Sequence, residues 1–189
     1  MSLLRRLNIG MRAIPLVFGL LLAGCIPSLH PLFSSETLVS VEGIEGNWRA
    51  NQGEELAFSP TATAGLYRAI FVDQNGAAFV FDVGATQIGS NTYLDFVPAT
   101  TGFMTSEFFD LHISKWHSFA KLSQQDGSLR LSFGDAVWLR QFLNENPTAT
   151  AFIEDDRVRL TGSTDELRAF VETHDAVLFD TEMVLVPAN

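Results

Sequence analysis

Apolar and polar residues alternate along most of the chain beyond residue 43, a period typical of half-buried β-strands. Residues 128–133 show it most cleanly, because Leu129, Leu131 and Phe133 fall on one face and polar residues on the other. The predicted strands are, in order, residues 44–49, 54–59, 66–72, 78–83, 92–96, 116–123, 128–133, 151–153, 158–160 and 179–186.

Turn residues between these runs predict two hairpins. Asp73-Gln74-Asn75-Gly76 separates the third and fourth strands, and Gln125-Asp126-Gly127 separates the sixth and seventh. Asn-Gly and Asp-Gly pairs accept the positive φ values that tight hairpin turns need.

Two stretches have the helical period instead. Asp135 can cap a helix over residues 136–143, in which Trp138, Leu139, Phe142 and Leu143 form one apolar stripe. Ser163-Thr164-Asp165-Glu166 has the Ser-x-x-Glu spacing of a capping box and opens a second helix through residue 172. Short strands at close spacing with only two helices predict a mainly β fold, an antiparallel barrel or sandwich.

The first 24 residues follow a different pattern. Arg5, Arg6 and Arg12 precede an apolar run over residues 13–22 that ends in Ala23-Gly24, and no acidic residue occurs before Glu36. A basic start, a short apolar core and small residues are the layout of a secretory signal. We therefore predict a signal peptide over residues 1–24, a lipidated tether over 25–42 and a single β-rich domain over 43–189. Leu29-His30-Pro31-Leu32-Phe33 is apolar for a linker, so this part of the tether is a candidate for docking on the domain.

Leu22-Ala23-Gly24-Cys25 resembles the lipobox cut by bacterial lipoprotein signal peptidase. The resemblance implies that Cys25, the only cysteine, becomes the lipidated first residue of the mature protein. Ile26 stands where enterobacterial lipoproteins retained in the inner membrane carry Asp, so the resemblance implies an outer-membrane anchor facing the periplasm. More than one acyl chain is needed for stable anchoring.

The net charge of the chain limits the kinds of molecule that it can bind. Without residues 1–24 the chain has nine basic and 22 acidic residues, a formal net charge of −13. Nucleic-acid binding requires a basic surface, so this class is excluded. Attraction to anionic lipid is disfavoured too, which leaves the lipid on Cys25 as the predicted membrane contact.

Few residues of the sequence suggest a catalytic or metal-binding site. Asp110, His112 and His117 are weak candidates for a metal site, because Asp110 and His112 would share one face of an extended segment. No further ligand follows a known metal spacing, and the alternative is histidines on a half-buried strand. The sequence has no nucleophile elbow, phosphate loop or dinucleotide fingerprint, so no cofactor or catalytic residue is predicted and an enzyme is disfavoured.

Aromatic residues on the predicted strands are candidates for lining a barrel interior. They are Trp48, Tyr67, Phe71, Phe79, Phe81, Tyr93 and Phe96. Small barrels of about eight strands are either filled by side chains or hold one small ligand. We select Trp48, Tyr67, Phe79, Phe81 and Tyr93 as candidate ligand-binding residues, with a filled core as the alternative.

Gly46-Asn47-Trp48 at the first strand resembles the Gly-x-Trp signature of lipocalin-like barrels, in which the Trp closes the barrel bottom. Together with the lipobox, Trp116-His117-Ser118-Phe119 and the two helix starts, it makes the chain similar to a group of uncharacterised bacterial lipoproteins with lipocalin-like features. That resemblance implies a fold and no reaction.

Three functional hypotheses remain at the level of sequence. The first is a lipid-anchored envelope barrel that binds a small apolar ligand or lipid. The second is a structural or interaction lipoprotein that docks on another envelope protein. The third and least favoured is an envelope hydrolase that uses the region of Asp110, His112 and His117.

Overall fold

The computed structural model describes residues 26–99, 115–146, 151–154 and 157–188. Within these ranges the chain forms ten strands and two helices. The strands are β1 (Gly46–Ala50), β2 (Glu55–Pro60), β3 (Leu66–Val72), β4 (Ala78–Ile88), β5 (Asn91–Pro98), β6 (Ser118–Gln125), β7 (Ser128–Gly134), β8 (Ala151–Glu154), β9 (Arg157–Leu160) and β10 (Phe179–Pro187). The helices are α1 (Ala136–Glu145) and α2 (Thr164–Leu178).

Eight strands close into an antiparallel barrel in the order β1-β10-β7-β6-β5-β4-β3-β2. Each strand from β1 to β6 pairs with the next in sequence, and β10 completes the ring between β7 and β1. Closure leaves no strand edge with unpaired backbone groups. The predicted mainly β fold with two helices is confirmed, and of the two predicted architectures the chain adopts the barrel.

The barrel has two unlike ends. We call the mouth the end at which β1, β3, β5 and β7 finish, and the base the end at which they begin. Strand β5 ends and β6 begins at the mouth, and most of the residues between them lie outside the described ranges. Helix α1, the β8–β9 hairpin and α2 also follow β7 at the mouth, before β10 begins there.

Alternate side chains of every barrel strand point inward and form one apolar cluster. Its buried strand residues are Trp48, Ala50, Leu56, Phe58, Tyr67, Ala69, Val83, Ala85, Leu94, Phe96, Ala120, Leu122, Leu129, Leu131 and Leu185. Each is at most 8% exposed. The described interior is therefore packed with side chains, as native cores are.

The base is closed by the segment that precedes β1. Val39 N donates to Ala85 O at 2.9 Å, and Val41 N donates to Tyr67 Oη at 2.9 Å. Ile44 is fully buried, and its carbonyl accepts the Trp48 indole N–H at 2.8 Å. The chain thus turns under the barrel and fills its lower end before the first strand starts.

Before it reaches the base, the same segment runs down the outer face of β4 and β5. Leu32 is fully buried there, and the Phe33 ring lies over Gly84, where an added Cβ would come within 2.3 Å of the ring. Residues 26–42 are therefore packed along the barrel, and the docking candidate over residues 29–33 lies within this packed stretch. Leu32 joins the apolar cluster that includes Ile88, Tyr93 and Phe119 on the outside of the barrel.

Both predicted hairpin turns are confirmed. In the β3–β4 turn, Asp73 Oδ1 accepts the backbone N–H groups of Asn75 at 2.9 Å and Ala77 at 2.8 Å, and Gly76 has φ 81°. The bond from Ala77 is the main cause of a lowered pKa at Asp73. In the β6–β7 turn, Asp126 and Gly127 both have positive φ, as a tight hairpin requires.

Both helix starts are confirmed as well. Asp135 Oδ1 accepts from Val137 N and Trp138 N, and Ser163 and Glu166 form the complete capping box. The bonds that Ser163 donates, first from its backbone, lower the pKa of Glu166. Helix α2 continues six residues beyond the predicted residue 172, to Leu178.

The two helices and the β8–β9 hairpin cover the outer face of β5 and β6. This creates a second apolar cluster outside the barrel, which includes the fully buried Leu139, Leu167 and Val171. Phe119 contributes from the outer face of β6. The barrel wall near β5 and β6 is thus buried on both sides.

Candidate functional site

The predicted ligand residues nearest the base are structural. Trp48 and Tyr67 point inward but are 7% and 4% exposed, and each makes a hydrogen bond to the segment that closes the base. The position of Trp48 agrees with the expectation that this residue closes the barrel bottom. Each side chain also borders a cleft at the base, Tyr67 the one beside residues 40–45 and Trp48 the one beside the β6–β7 turn.

The predicted ligand residues nearest the mouth are more accessible. Phe79 and Phe81 point inward at the start of β4, and Phe79 is 48% exposed. Phe71 lies opposite Phe79 with ring centroids 6.5 Å apart, and Phe81 meets Phe96 edge-on at 6.2 Å. An aromatic lining of half-buried side chains therefore occupies the mouth.

Two further half-buried side chains, Phe133 and Met183, pack against the core from β7 and β10. They come from the mouth halves of their strands, so the apolar lining continues around the ring. We call Phe71, Phe79, Phe81, Phe133 and Met183 the mouth residues. On β4 the inward side chains become more exposed toward the mouth, from the fully buried Ala85 and Val83 to Phe79 at 48%, so solvent and solutes reach the interior at this side of the mouth.

Tyr93 requires a correction. It was expected to line the interior, yet its ring lies in the second cluster, 5.5 Å from Phe179, because its neighbour Leu94 is the inward residue. Its hydroxyl donates to Asp175 Oδ1, and Lys121 Nζ lies 2.7 Å from Asp175 Oδ2. Burial, followed by the bond to Asp175, raises the pKa of Tyr93, so this phenol stays protonated and joins α2 to the barrel.

A carboxylate lies at the rim of the apolar mouth. Glu54 precedes β2 by one residue, is 2% exposed, and accepts a 2.7 Å hydrogen bond from Gln74 Nε2. Beside it a cleft of about 130 Å³ opens where β1 leaves β10, lined by the 50–54 turn and by Glu182, Met183 and Val184. Buried carboxylates are uncommon in apolar surroundings. Glu54 therefore places a polar group at the rim of an otherwise apolar mouth.

Two larger clefts lie at the base, beside the segment that closes it. One of about 630 Å³ is lined by residues 40–45 and 60–67, and the other of about 350 Å³ by Trp48 and the β6–β7 turn. Both are bordered largely by loop residues. The first cleft includes Tyr67 and the second includes Trp48, and the rest of each lining comes mainly from turns and from the segment that closes the base.

His117 has a partner that the sequence did not indicate. Its Nδ1 lies 2.6 Å from Asp95 Oδ1, while Asp95 Oδ2 accepts from Leu32 N at 2.6 Å. Asp95 is fully buried on the outer face of β5. A carboxylate that orients an imidazole is a feature of hydrolases, but here the same carboxylate also fixes the N-terminal segment to the barrel.

Several predicted site residues cannot be placed. Cys25, Asp110 and His112 lie outside the described residues, so their relation to His117 stays a prediction. Among the residues that the structure does describe, no group of three or more His, Cys, Asp or Glu side chains is arranged to hold a metal ion. In the same described ranges no helix has the length and apolar character needed to cross a membrane.

Comparisons with known proteins add no relative. No protein-family model, no curated protein and no solved structure matches this chain. A function for this chain is therefore inferred from its own sequence and geometry.

A cluster of rings between the helices contains a titratable group. His174 of α2 lies 4.7 Å from both Phe142 and Phe170 and 5.5 Å from Trp138, measured between ring centroids. Burial lowers the pKa of His174, because the charged imidazolium is poorly solvated among these rings.

This lowered pKa predicts an acid-sensitive helix pair. Unfolding raises the pKa of His174 to its ordinary value, so the unfolded chain binds more protons and stability falls as the pH drops through about 6.5. We expect His174→Phe to lose less stability than the wild type between about pH 7.5 and about pH 5. Urea unfolding at the two pH values measures the loss of stability. His30→Gln is the control, because His30 is exposed. Equal losses in wild type and His174→Phe would contradict the prediction.

Proposed function

We propose that this chain is a lipid-anchored bacterial envelope protein that binds a small apolar ligand at the aromatic mouth of its barrel. The observation that carries the proposal is the contrast between the two ends. The base is filled by the N-terminal segment, whereas the mouth presents half-buried aromatic side chains with Phe79 48% exposed.

The apolar lining supports a ligand of limited size. Packed side chains fill the interior below the mouth, so the ligand lies in a shallow site and does not enter deeply. Each aromatic ring that a ligand covers removes apolar surface from water, at about 25 cal/mol per Å². A single alkyl chain or a ring system of modest size fits this description better than a large lipid.

The resemblance of Leu22-Ala23-Gly24-Cys25 to a lipobox supports the anchor. If the proposal is correct, Cys25→Ala abolishes incorporation of labelled palmitate and moves the protein from the membrane fraction to the soluble one. Alkylation of a free thiol on the mature wild-type chain would contradict it.

A diazirine-bearing fatty acid, photolysed with the full-length chain in membranes, tests the binding site. We expect crosslinks to the mouth residues, and about tenfold weaker labelling in Phe79→Ser, since roughly half a Phe side chain of contact area is lost. Ile70→Ser is the matched control, because Ile70 is 44% exposed on the outer face of β3. Equal labelling of the two variants would exclude the mouth as the site.

A second function has support of its own. Because the described interior is packed, the barrel can serve as a rigid scaffold that docks on another envelope protein. This function predicts no saturable labelling of the mouth by the fatty-acid probe. It predicts instead a protein crosslinked to the barrel in intact envelopes.

A further inference from the structure

The chain pairs with the domain immediately after the position of the anchor. Ser28 N donates to His117 O and His117 N donates to Ser28 O, both at 2.8 Å. On the other side, Leu160 N donates to Pro27 O and Leu29 N donates to Leu160 O, both at 2.9 Å. Residues 27–29 are therefore a short strand between β9 and the start of β6.

Side chains of this short strand fix it firmly on its inner side. Ile26 is 4% exposed and packs on Gly134, where an added Cβ would lie 2.5 Å from Ile26 Cδ1. Ser28 is fully buried, and its hydroxyl donates to His30 O at 2.8 Å. Only Ile26 separates the paired residues from Cys25, and one residue spans at most about 3.6 Å.

The outer side of the same strands is apolar and exposed. Leu29 and Phe152 are each 41% exposed. Phe152 pairs with Arg159, whose guanidinium lies 4.9 Å from the centroid of the Trp116 ring. We call Leu29, Trp116, Phe152 and Arg159 the anchor-side row.

We propose that the anchor-side row contacts the interface of the bilayer that holds the lipidated Cys25. The inference rests on the proposed lipidation. Because there is almost no free chain between the anchor and the domain, the surface next to residue 26 is held within a few ångströms of the headgroups. The side chains there suit that position, since Trp favours membrane interfaces and Arg can extend its charge toward phosphates while its stem covers apolar surface.

The net negative charge of the chain disfavours electrostatic attraction to anionic lipid headgroups. Contact with the bilayer interface therefore depends on apolar side chains. The mature chain has a formal charge of −13, with nine basic and 22 acidic residues. The anchor-side row therefore contacts zwitterionic bilayers, and added anionic lipid does not strengthen the contact.

The position of the row also orients the barrel. Trp116 and His117 directly precede β6, which begins at the mouth. The mouth and the anchor-side row are thus at the same end of the barrel. An apolar ligand can then pass between the bilayer and the mouth residues along a short path.

Unique cysteines can test this contact in the full lipidated chain. The chain has one cysteine, which lipidation blocks, so Leu29→Cys or Phe152→Cys provides a single thiol for an environment-sensitive fluorophore. Matched controls are Ile70→Cys and Val186→Cys, which are 44% and 42% exposed in the wild type and lie elsewhere on the barrel. Each labelled protein is reconstituted in phosphatidylcholine vesicles that contain a spin-labelled lipid.

We expect a blue shift and a loss of emission at positions 29 and 152, and neither change at 70 and 186. A water-like spectrum at all four positions, with acylation of Cys25 verified by mass, overturns the membrane contact while the anchor stands. A mature chain without acyl groups overturns both. Shielding of 29 and 152 in native envelopes but not in vesicles would overturn the bilayer contact and identify a protein partner instead.

Discussion

Replacing Asp95 by alanine is expected to lower the free energy of unfolding by about 3 kcal/mol, because it leaves buried hydrogen-bonding groups without partners. Asp95 is fully buried, and its two oxygens bond Leu32 N and His117 Nδ1, both at 2.6 Å. Urea unfolding of the full chain, followed by tryptophan fluorescence, measures the loss.

The matched control is Asp82→Ala. Asp82 pairs with Arg68 at 3.0 Å, but both side chains are 48% exposed, so less than about 1 kcal/mol is expected. Equal losses in the two variants would mean that Asp95 has no special structural role.

The same variant distinguishes two interpretations of the Asp95–His117 pair. If the carboxylate mainly fixes the N-terminal segment, Asp95→Ala frees residues 29–33, and a fluorophore at position 152 becomes more exposed to water in vesicles. If the pair were catalytic, a hydroxyl would be expected near the imidazole. Among the described residues, Ser28 and His117 are joined by two backbone hydrogen bonds, and the Ser28 hydroxyl donates to His30 O.

The strands and hairpins of the barrel were predictable from sequence because their causes are local. Alternation identified the inward faces of the strands, and Asn75-Gly76 and Asp126-Gly127 set the hairpins. The helix caps were readable for the same reason, since a cap and its partners are at most three residues apart. Closure into a barrel required the pairing of β10 with β1, which joins residues far apart in the chain.

The structural role of Asp95 was not predictable in the same way. Alternation places Asp95 on the outer face, between the inward Leu94 and Phe96, where a polar residue normally meets solvent. Only the return of the N-terminal segment buries it, and that contact joins Leu32 to a residue 63 positions later. Tyr93 was misplaced for a related reason, because helix α2 turns an outer position into a buried one.

For the N-terminal segment, the sequence indicated a tether with an apolar part, residues 29–33, that was a candidate for docking, and the extent of packing was not predicted. Proline and serine in residues 26–42 are typical of a linker, but Leu32 and Phe33 provide enough apolar surface to bind the outer face of β4. The length of free chain beyond the anchor therefore depends on tertiary packing, which local composition does not encode.

Arg168→Met is the second substitution with a large expected effect, a loss of about 2–4 kcal/mol in the free energy of unfolding. Arg168 of α2 donates to Leu32 O at 3.0 Å, to Thr86 Oγ1 at 2.8 Å and to Gln87 O at 2.8 Å. One guanidinium thus joins α2, the N-terminal segment and β4. Methionine keeps much of the side-chain stem, so the loss reports mainly the hydrogen bonds.

Two comparisons sharpen the result for Arg168. Arg168→Lys should recover only part of the loss, because a single ammonium cannot match the planar fork that reaches all three acceptors. Arg49→Met is the control, since the Arg49–Glu55 pair at 2.7 Å is exposed on both sides and should contribute less than about 1 kcal/mol. If Arg168→Met were no more destabilising than Arg49→Met, the three guanidinium hydrogen bonds would contribute no more than an exposed ion pair, and the backbone bonds of residues 27–29 and Val39 together with Asp95 would hold the N-terminal segment.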